Sequence, residues 1–567
     1  MKRLCFFVVM VCWWGFAGSA CAATFESVSG GLYHSCGIES SGQAFCWGDN
    51  SSGELGDGTT VGRLVPNAVP ALTDAKAISA GNWFTCAIRK PGQVVCWGVM
   101  TSGEIGNPTI VLNSEVPVPV PGLSDAVAIS AGRDFACAIR SSGQAVCWGS
   151  NDFGQLGDGT TADRKVPTAV SGLSDAASIS VPDGTHACAT RATGQAVCWG
   201  FNNSGRLGDG TTTDRLVPTP VSGLSDSVSI AAGGAHTCAV RSTGQARCWG
   251  SNSLGELGDG STVDSAVPAT VSGLADALSI SSGFDHACAV RATGQAVCWG
   301  SNSSGQVGNG TRTEDLEPGP LVPTPVLGLS DVASLSAGSF HTCALRNSGE
   351  AECWGFNDYG QLGDGTRTDR LRAVSVAEPL PAPISGKTVN LNPETGIVKT
   401  KCPGTGTYRK LRNPKQVRTG CLIDTRRGTV RLTSARSRKA NQSARFRGGL
   451  FRVGQKKGRA ETTLSLKGPL QCARRGRSAL VRDRVPNHRK KSSGRKLWGS
   501  GKGRFKTVGH GGSASVRGTI WSLEDRCDGS SEVKVKRGVV SVRDFARRKT
   551  VVVRAGGRYV TGAVRKR

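Results

Sequence analysis

Seven times the chain repeats one block, clearest at residues 288–300, CAVRATGQAVCWG: two cysteines ten positions apart, the second followed by Trp-Gly. The pairs are Cys36/Cys46, Cys86/Cys96, Cys137/Cys147, Cys188/Cys198, Cys238/Cys248, Cys288/Cys298 and Cys343/Cys353. Each brackets a glycine six residues after its first cysteine: Gly42, Gly92, Gly143, Gly194, Gly244, Gly294 and Gly349. A three-residue loop ending in glycine is a type I turn closed by a residue in the left-handed region, where glycine carries no Cβ penalty. With the loop centred on the residue before that glycine, the two cysteines face each other on one side of a β-hairpin. Their Cα atoms are then expected about 4.5–5.5 Å apart, within a disulfide's reach. A one-residue slip would send the two thiols to opposite faces.

Of the 21 cysteines, three lie in the first 21 residues, fourteen in these blocks and four in the last third. Register-matched pairing argues for disulfides and hence an oxidising compartment. The alternative, reduced and buried cysteines in a cytosolic protein, leaves the pairing unexplained. The nine-residue gaps do not match the ligand spacings of structural zinc. The N-terminus agrees with export. Lys2 and Arg3 precede an apolar run from Leu4 to Ala17, and small residues follow. This reads as a signal peptide over 1–22, too short for a comfortable membrane span. Ala20-Cys21-Ala22 fits the cleavage site. A lipoprotein signal using Cys21 is the less favoured reading, because the aliphatic residue expected three positions earlier is missing.

The second cysteines recur at intervals of 50, 51, 51, 50, 50 and 55 residues. A fixed period near 50 with several short strand signals per unit points to propeller blades. Within a unit a short apolar strand ends in Ser-Ala-Gly or similar (Ile129-Ser130-Ala131-Gly132). The hairpin follows, then a turn stretch such as SNDFGQLGDGTTADR, then VPTAVSGLSDA.

Gly-x-x-His-x-Cys, the hairpin glycine, Trp-Gly, Gly-Gln-Leu-Gly and the VPxxV…GL stretch together resemble the regulator of chromosome condensation repeat family. The resemblance implies an all-β fold with a seven-bladed β-propeller over residues 24–380. Members of that family include a nucleotide-exchange factor for a small GTPase, chromatin binders and a secreted β-lactamase inhibitor. Their shared property is a ring whose faces bind another protein. Signal peptide and disulfides place this chain outside the cytoplasm, away from GTPase and chromatin.

The repeats supply an internal control on candidate chemistry. Two residues before each first cysteine stand His34, Phe84, Phe135, His186, His236, His286 and His341. Phenylalanine neither binds metal nor transfers protons, so the five histidines read as planar side chains packing at a strand start. Asp57, Asp158, Asp209, Asp259 and Asp364 sit in Gly-Asp-Gly and read as turn residues, with too few converging oxygens for calcium. Trp47, Trp97, Trp148, Trp199, Trp249, Trp299 and Trp354 read as core. Variation is concentrated just after the glycine of Gly-x-x-His, at Leu32-Tyr33, Asn82-Trp83, Arg133-Asp134, Gly234-Ala235, Phe284-Asp285 and Ser339-Phe340. Unit four departs, with Val181-Pro182-Asp183-Gly184. Unit two has Gly106-Asn107-Pro108-Thr109, and an insertion near 314–320 precedes unit seven. A constant frame with variable loop tips presents a binding face. Tyr33, Trp83, Arg133, Phe284 and Phe340 are residue types that anchor interfaces, and are expected on one ring as partner-binding residues.

The charge is split. Residues 386–567 hold 48 Lys and Arg against 9 Asp and Glu, a net of +39, which leaves −12 on residues 1–385. Residues 378–385 form a proline-rich linker. Beyond it, β-type runs at 429–432, 449–453, 463–466, 515–520, 533–535, 539–542 and 551–554 imply a basic β-rich domain over 386–567. Residues 473–497 read as a disordered basic loop. VRGTIWSLEDRCDGSSEVKVKRGVVSVRD (516–544) with VVVRAGGRYV (551–560) resembles the FecR-type domain of periplasmic iron-dicitrate sensors, and 421–433 is similar to an earlier strand pair of it. Cys402, Cys421, Cys472 and Cys527 allow three connectivities. The charge implies an anionic polymer or surface as partner.

No Ser-His-Asp, Cys-His or paired-carboxylate arrangement outranks its structural explanation, and no cofactor or metal is implied. The sequence reads as a secreted or periplasmic, non-enzymatic protein-binding propeller held at an anionic surface by its basic domain. The alternatives are an enzyme with its site on the propeller face and a nucleic-acid binder acting through the basic tail.

Overall fold

The computed structural model describes residues 24–563 except 111, 182, 380–383, 412–414, 436–440, 458 and 468–494. The signal peptide, Cys21, the centre of the proline-rich linker, most of the basic loop and Cys472 therefore lie outside the described residues. The chain divides into two compact units, residues 1–379 and 380–567.

The first unit is a seven-bladed propeller, each blade a four-stranded antiparallel sheet made from one contiguous stretch of chain. Blade one runs Ser27–Gly30, His34–Ile38, Ala44–Gly48, Arg63–Ala68, and blade seven runs Val332–Ala337, His341–Arg346, Ala351–Gly355, Arg370–Ser375. The hairpin of each blade joins its second and third strands in the register the sequence predicts, Cys288 opposite Cys298 in blade six and likewise in the others. All seven disulfides are formed as expected, one per blade: Cys36–Cys46, Cys86–Cys96, Cys137–Cys147, Cys188–Cys198, Cys238–Cys248, Cys288–Cys298 and Cys343–Cys353. Their Cα separations correct the expectation of about 4.5–5.5 Å. The paired cysteines stand only 4.0–4.1 Å apart, and the reason is parity. Arg291 N–H bonds the Gln295 carbonyl at 2.9 Å. Counting back along the ladder puts Cys288 and Cys298 at a non-hydrogen-bonded pair, where antiparallel strands approach most closely.

The first strands line the centre. Their serines close the ring: Ala80 N–H donates to Ser29 Oγ, Ala131 N–H to Ser79 Oγ and Val181 N–H to Ser130 Oγ, at 2.9–3.0 Å, each reaching the preceding blade. The tryptophans are fully buried, as expected. Each indole N–H also donates to a carbonyl of the preceding blade, for example Trp97 to Glu54 at 2.7 Å and Trp47 to Gln361 at 2.9 Å. The insertion near 314–320 cuts the outer strand of blade six to Thr324–Pro325.

Among the described residues the second unit is one branched sheet of thirteen strands. All seven expected β runs fall on strands. Hydrogen bonding closes a circuit: Leu422–Ala435 pairs with Asn441–Arg447, which pairs with Arg495–Val508. That strand runs parallel to Thr462–Leu466, which pairs with Leu450–Gln455, which returns to Leu422–Ala435. Phe446, Phe451, Phe505 and Trp521 fill its core. Arg495, Lys496 and Leu497 were expected in a disordered loop. They belong to a strand instead, because Leu497 has a buried place in that core. Cys402 pairs with Cys421, and Cys527 is disulfide-bonded as well.

Candidate partner-binding face of the propeller

The glycine that opens each Gly-x-x-His sets the geometry of one end of the propeller. A Cβ on Gly31 would lie 2.3 Å from the Gly81 carbonyl oxygen, and one on Gly283 or Gly338 would lie 2.4 Å from the corresponding oxygen of the next blade. Only glycine lets the blades approach this closely. Backbone bonds knit the approach: Asn82 N–H to the Gly132 carbonyl at 3.0 Å, and Ser339 N–H to that of Gly31 at 3.1 Å. The variable tips hang directly on this ring. The residue after Trp-Gly joins them at the same end, because its N–H bonds a tip carbonyl, as Asp49 does to Tyr33 and Phe356 to Phe340.

Four of the five expected anchors meet. Tyr33 lies 5.6 Å from Trp83 and 6.4 Å from Phe340, and Phe284 lies 6.0 Å from Phe340, ring centre to ring centre. Phe356 and Tyr359, not anticipated, complete the cluster at 5.9 and 4.5 Å from Tyr33. Their signal was present in the sequence: the post-Trp-Gly stretch reads FNDY in unit seven and DNSS in unit one. The rings are half-buried against one another, with Tyr359 the most open. They are neither isolated exposed anchors nor core. Arg133, the fifth, is exposed and paired with Asp134 at 3.2 Å.

Beside the aromatics is the mouth of a central channel of about 150 Å³, lined largely by serine, alanine and glycine of the first strands. Asp183, from the departing unit four, reaches across this mouth. It accepts hydrogen bonds from Asn82 of blade two and, at 2.5 Å, from Ser339 Oγ of blade seven. Burial raises its pKa despite those bonds. Burial also pushes Asp285 up to about 6, with Asp183 adding to the effect. These three blades tied by one carboxylate were not legible, since unit four read only as an irregular repeat.

The histidines do structural work of a kind the sequence reading only half captured. All five are buried. Four bond a hydroxyl of the next blade through Nε2: His34 to Thr85, His186 to Thr237, His286 to Thr342 and His341 to Ser35, at 2.8–2.9 Å. Burial pulls His34 and His341 down to about 3 and His286 to about 4, so the imidazoles are neutral. The Gly-Asp-Gly aspartates are turn residues, as expected: Asp57 Oδ1 accepts the Thr59 N–H at 3.0 Å, and its other oxygen pairs with Arg63. Among the described residues no group of His, Cys, Asp or Glu could hold a metal, and no helix is long and apolar enough to cross a membrane.

Models of the regulator of chromosome condensation (RCC1) repeat match this chain at residues 41–88, 142–188, 193–240, 244–290 and 293–345, and a second model of the same repeat matches six further or overlapping segments between 25 and 361. The chain belongs to the RCC1 repeat family. Human E3 ubiquitin-protein ligase HERC2 is 27% identical over 205 residues, which is 35% of this chain and only 4% of HERC2. The Arabidopsis thaliana ultraviolet-B receptor UVR8 is 40% identical over 99 residues, 17% of this chain and 22% of the receptor. This RCC1-repeat chain thus spans a small part of those relatives' length. Among solved structures, Prp20p of Saccharomyces cerevisiae superposes with a TM-score of 0.54 at 21% identity, covering 63% of this chain and 88% of its own. Human WBSCR16 superposes with 0.53 at 21%, covering 61% and 96%. Both share the fold of this RCC1-repeat propeller.

Proposed function

We propose that this chain is a secreted or cell-envelope protein, not an enzyme, whose propeller binds another protein and whose basic unit holds it at an anionic surface. The observation that carries the reading is the cluster of six aromatic rings drawn from blades six, seven, one and two onto one end of a rigid ring. Large aromatic side chains gathered at a surface are a usual mark of a partner site. Prp20p, which shares the propeller, binds Gsp1p and histones, which supports a protein-binding role for the fold. Disulfides in every blade fit an oxidising compartment. The net +39 of residues 386–567 supports attraction to an anionic polymer or surface.

The test is capture of partners from culture supernatant or envelope extract by the full mature chain. Trp83→Ala and Phe340→Ala should each weaken capture by about 2 kcal/mol or more at a modest stability cost, while Phe153→Ala, on the opposite arc, leaves it intact. Capture that is indifferent to all three substitutions would refute the placement of the face.

One observation favours an enzyme as the second reading. Asp285, on the tip of blade six, is pushed up to about 6 by burial and by Asp183 of the channel mouth, the condition of a carboxyl that can act as a general acid near neutrality. Turnover lost on Asp285→Asn would support it.

A further inference from the structure

The basic unit has a groove of about 780 Å³ on the face of its sheet away from the core. Register builds its floor. Thr463 stands beside Lys506, Lys506 beside Ser515, Ser515 beside Ser541 and Ser541 beside Val552. Five neighbouring strands thus send one side chain each to a continuous row. The alternate residues Leu464, Phe505, Val516, Val540 and Val553 are buried in the core. Arg504 and Val539 extend the floor, and Lys456 and Arg459 stand on a turn at its edge, closed by Arg459 N–H to the Lys456 carbonyl at 3.0 Å.

A buried glutamine fixes the two sides relative to each other. Gln442, 5% exposed, accepts the Arg504 N–H at 2.7 Å and donates to the Ala460 carbonyl on the far side of the turn. Four cations therefore converge on one groove. Among the described residues its only lining carboxylate is Glu461, which takes Lys506 at 4.0 Å. Lys456, Arg459 and Arg504 have no carboxylate partner among the described residues. Two valines beside Ser541, Val552 opposite it and Val539 two residues along its strand, are about half exposed.

We infer that this groove is a binding site for an anionic polysaccharide. The inference rests on reading the basic unit as anion-binding, and it narrows that reading to one place and one chemistry. Three convergent unpaired cations fit a chain bearing carboxylate, sulfate or phosphate groups. A row of hydroxyls ending beside two exposed valines fits sugar rings, which present hydroxyls at the edge and C–H groups on the face. Single-stranded nucleic acid fits less well, because no aromatic side chain among the described residues lines the groove to stack a base. An acidic membrane fits less well, because the site is concave and carries no large apolar residue to insert.

The experiment uses the full mature chain and three immobilised probes: polygalacturonate, a poly-dT oligonucleotide and vesicles containing phosphatidylserine, with neutral dextran as blank. Arg459→Glu with Arg504→Glu should weaken polygalacturonate binding tenfold or more and flatten its salt dependence. Arg409→Glu with Lys410→Glu, the same charge change on another strand, should cost less than threefold. An equal loss in both double variants overturns the groove and leaves only diffuse attraction. Tighter binding to the oligonucleotide or the vesicles overturns the polysaccharide. No binding to any anionic probe at low salt overturns the anion-binding reading itself, and the groove with it. Thermal unfolding of each variant confirms that the fold is retained.

Discussion

One blade interface lacks a partner that its equivalents have, and repairing it should stabilise the protein. Where His faces the next blade, a hydroxyl answers it: Thr85, Thr237, Thr342 and Ser35. Where Phe stands instead, alanine answers: Phe84 packs in one cluster with Ala136, and Phe135 with Ala187. His236 breaks the rule. Its neighbour at the equivalent position is Ala287, and both ring nitrogens are buried without a hydrogen-bond partner. A buried unsatisfied polar group costs about 1–3 kcal/mol. Ala287→Ser would supply a hydroxyl to His236 Nε2. The same hydroxyl would donate to the Glu256 carbonyl, as Thr85 does to that of Glu54 at 2.9 Å. That carbonyl already accepts the Trp299 indole at 2.9 Å and has a second lone pair free. The expected gain is about 1–2 kcal/mol, less what the added oxygen costs in packing. His236→Phe should gain a similar amount by recreating the Phe–Ala pairing. The two changes should not add, because a serine beside the new phenylalanine has no imidazole to bond, so the double variant should be no better than His236→Phe alone. Denaturant unfolding of the oxidised chain, followed by tryptophan fluorescence at pH 8, reads these differences as shifts in midpoint at constant slope. Destabilisation by both single variants, or full additivity, would refute the account.

Acid should unfold the propeller early. Each buried histidine takes up a proton only on unfolding, so its contribution is complete above the unfolded value near 6.5 and is lost as pH falls toward the folded values of about 3–4. Glu54 and Glu256, pushed up to about 7 by burial, and Asp285, pushed up to about 6, oppose this between pH 7 and about 4. Stability measured against pH should therefore fall gently from about 6.5 to 4.5 and steeply below, at about 1.4 kcal/mol per pH unit for each net proton; a flat profile down to pH 4 would contradict it. Removing one hairpin disulfide, with Cys288→Ser and Cys298→Ser together, should cost about 2–3 kcal/mol, the value for closing a short loop, and a non-reduced digest of secreted protein should yield the seven near-neighbour pairs. Gly283→Ala should cost several kcal/mol or prevent folding, because its Cβ meets a backbone oxygen that cannot move without shifting a blade.

The repeat made most of the first unit readable from the sequence. A motif present seven times tests itself: a position that alternates between His and Phe argues for packing over catalysis or metal binding, and a cysteine pair in constant register argues for a disulfide. Contacts between blades were harder to read. The serine of Ser-Ala-Gly, the indole N–H and the hydroxyl after His all act on a neighbour about 50 residues away. Single-repeat reasoning sees their identity without their partner. The His–hydroxyl and Phe–alanine pairing could have been found by comparing adjacent units position by position. In the second unit strands were legible from alternation. Pairing was not, because a parallel neighbour and strands shared between two partners leave no local trace.

The departures from the repeat fall where the aromatic rings of the proposed partner face gather. A perfectly repeated propeller would present seven equal tips and no preferred arc. Here the aromatic tips fall on blades six, seven, one and two, and two further rings come from the post-Trp-Gly stretch of blade seven. Unit four contributes no aromatic tip. Its extra residue instead lets Asp183 span the channel mouth to blades two and seven, the blades at either end of the Trp83–Tyr33–Phe340 row. Buried carboxylates with good partners are costly to break and specify one arrangement. The irregular unit therefore holds the aromatic arc in register from across the ring. Asp183→Asn would keep the shape and weaken the acceptor. It should loosen the arc and reduce partner capture without removing any ring of the proposed face. If capture survives Asp183→Asn but not Trp83→Ala, the frame alone positions the tips, and the bridge serves only the channel.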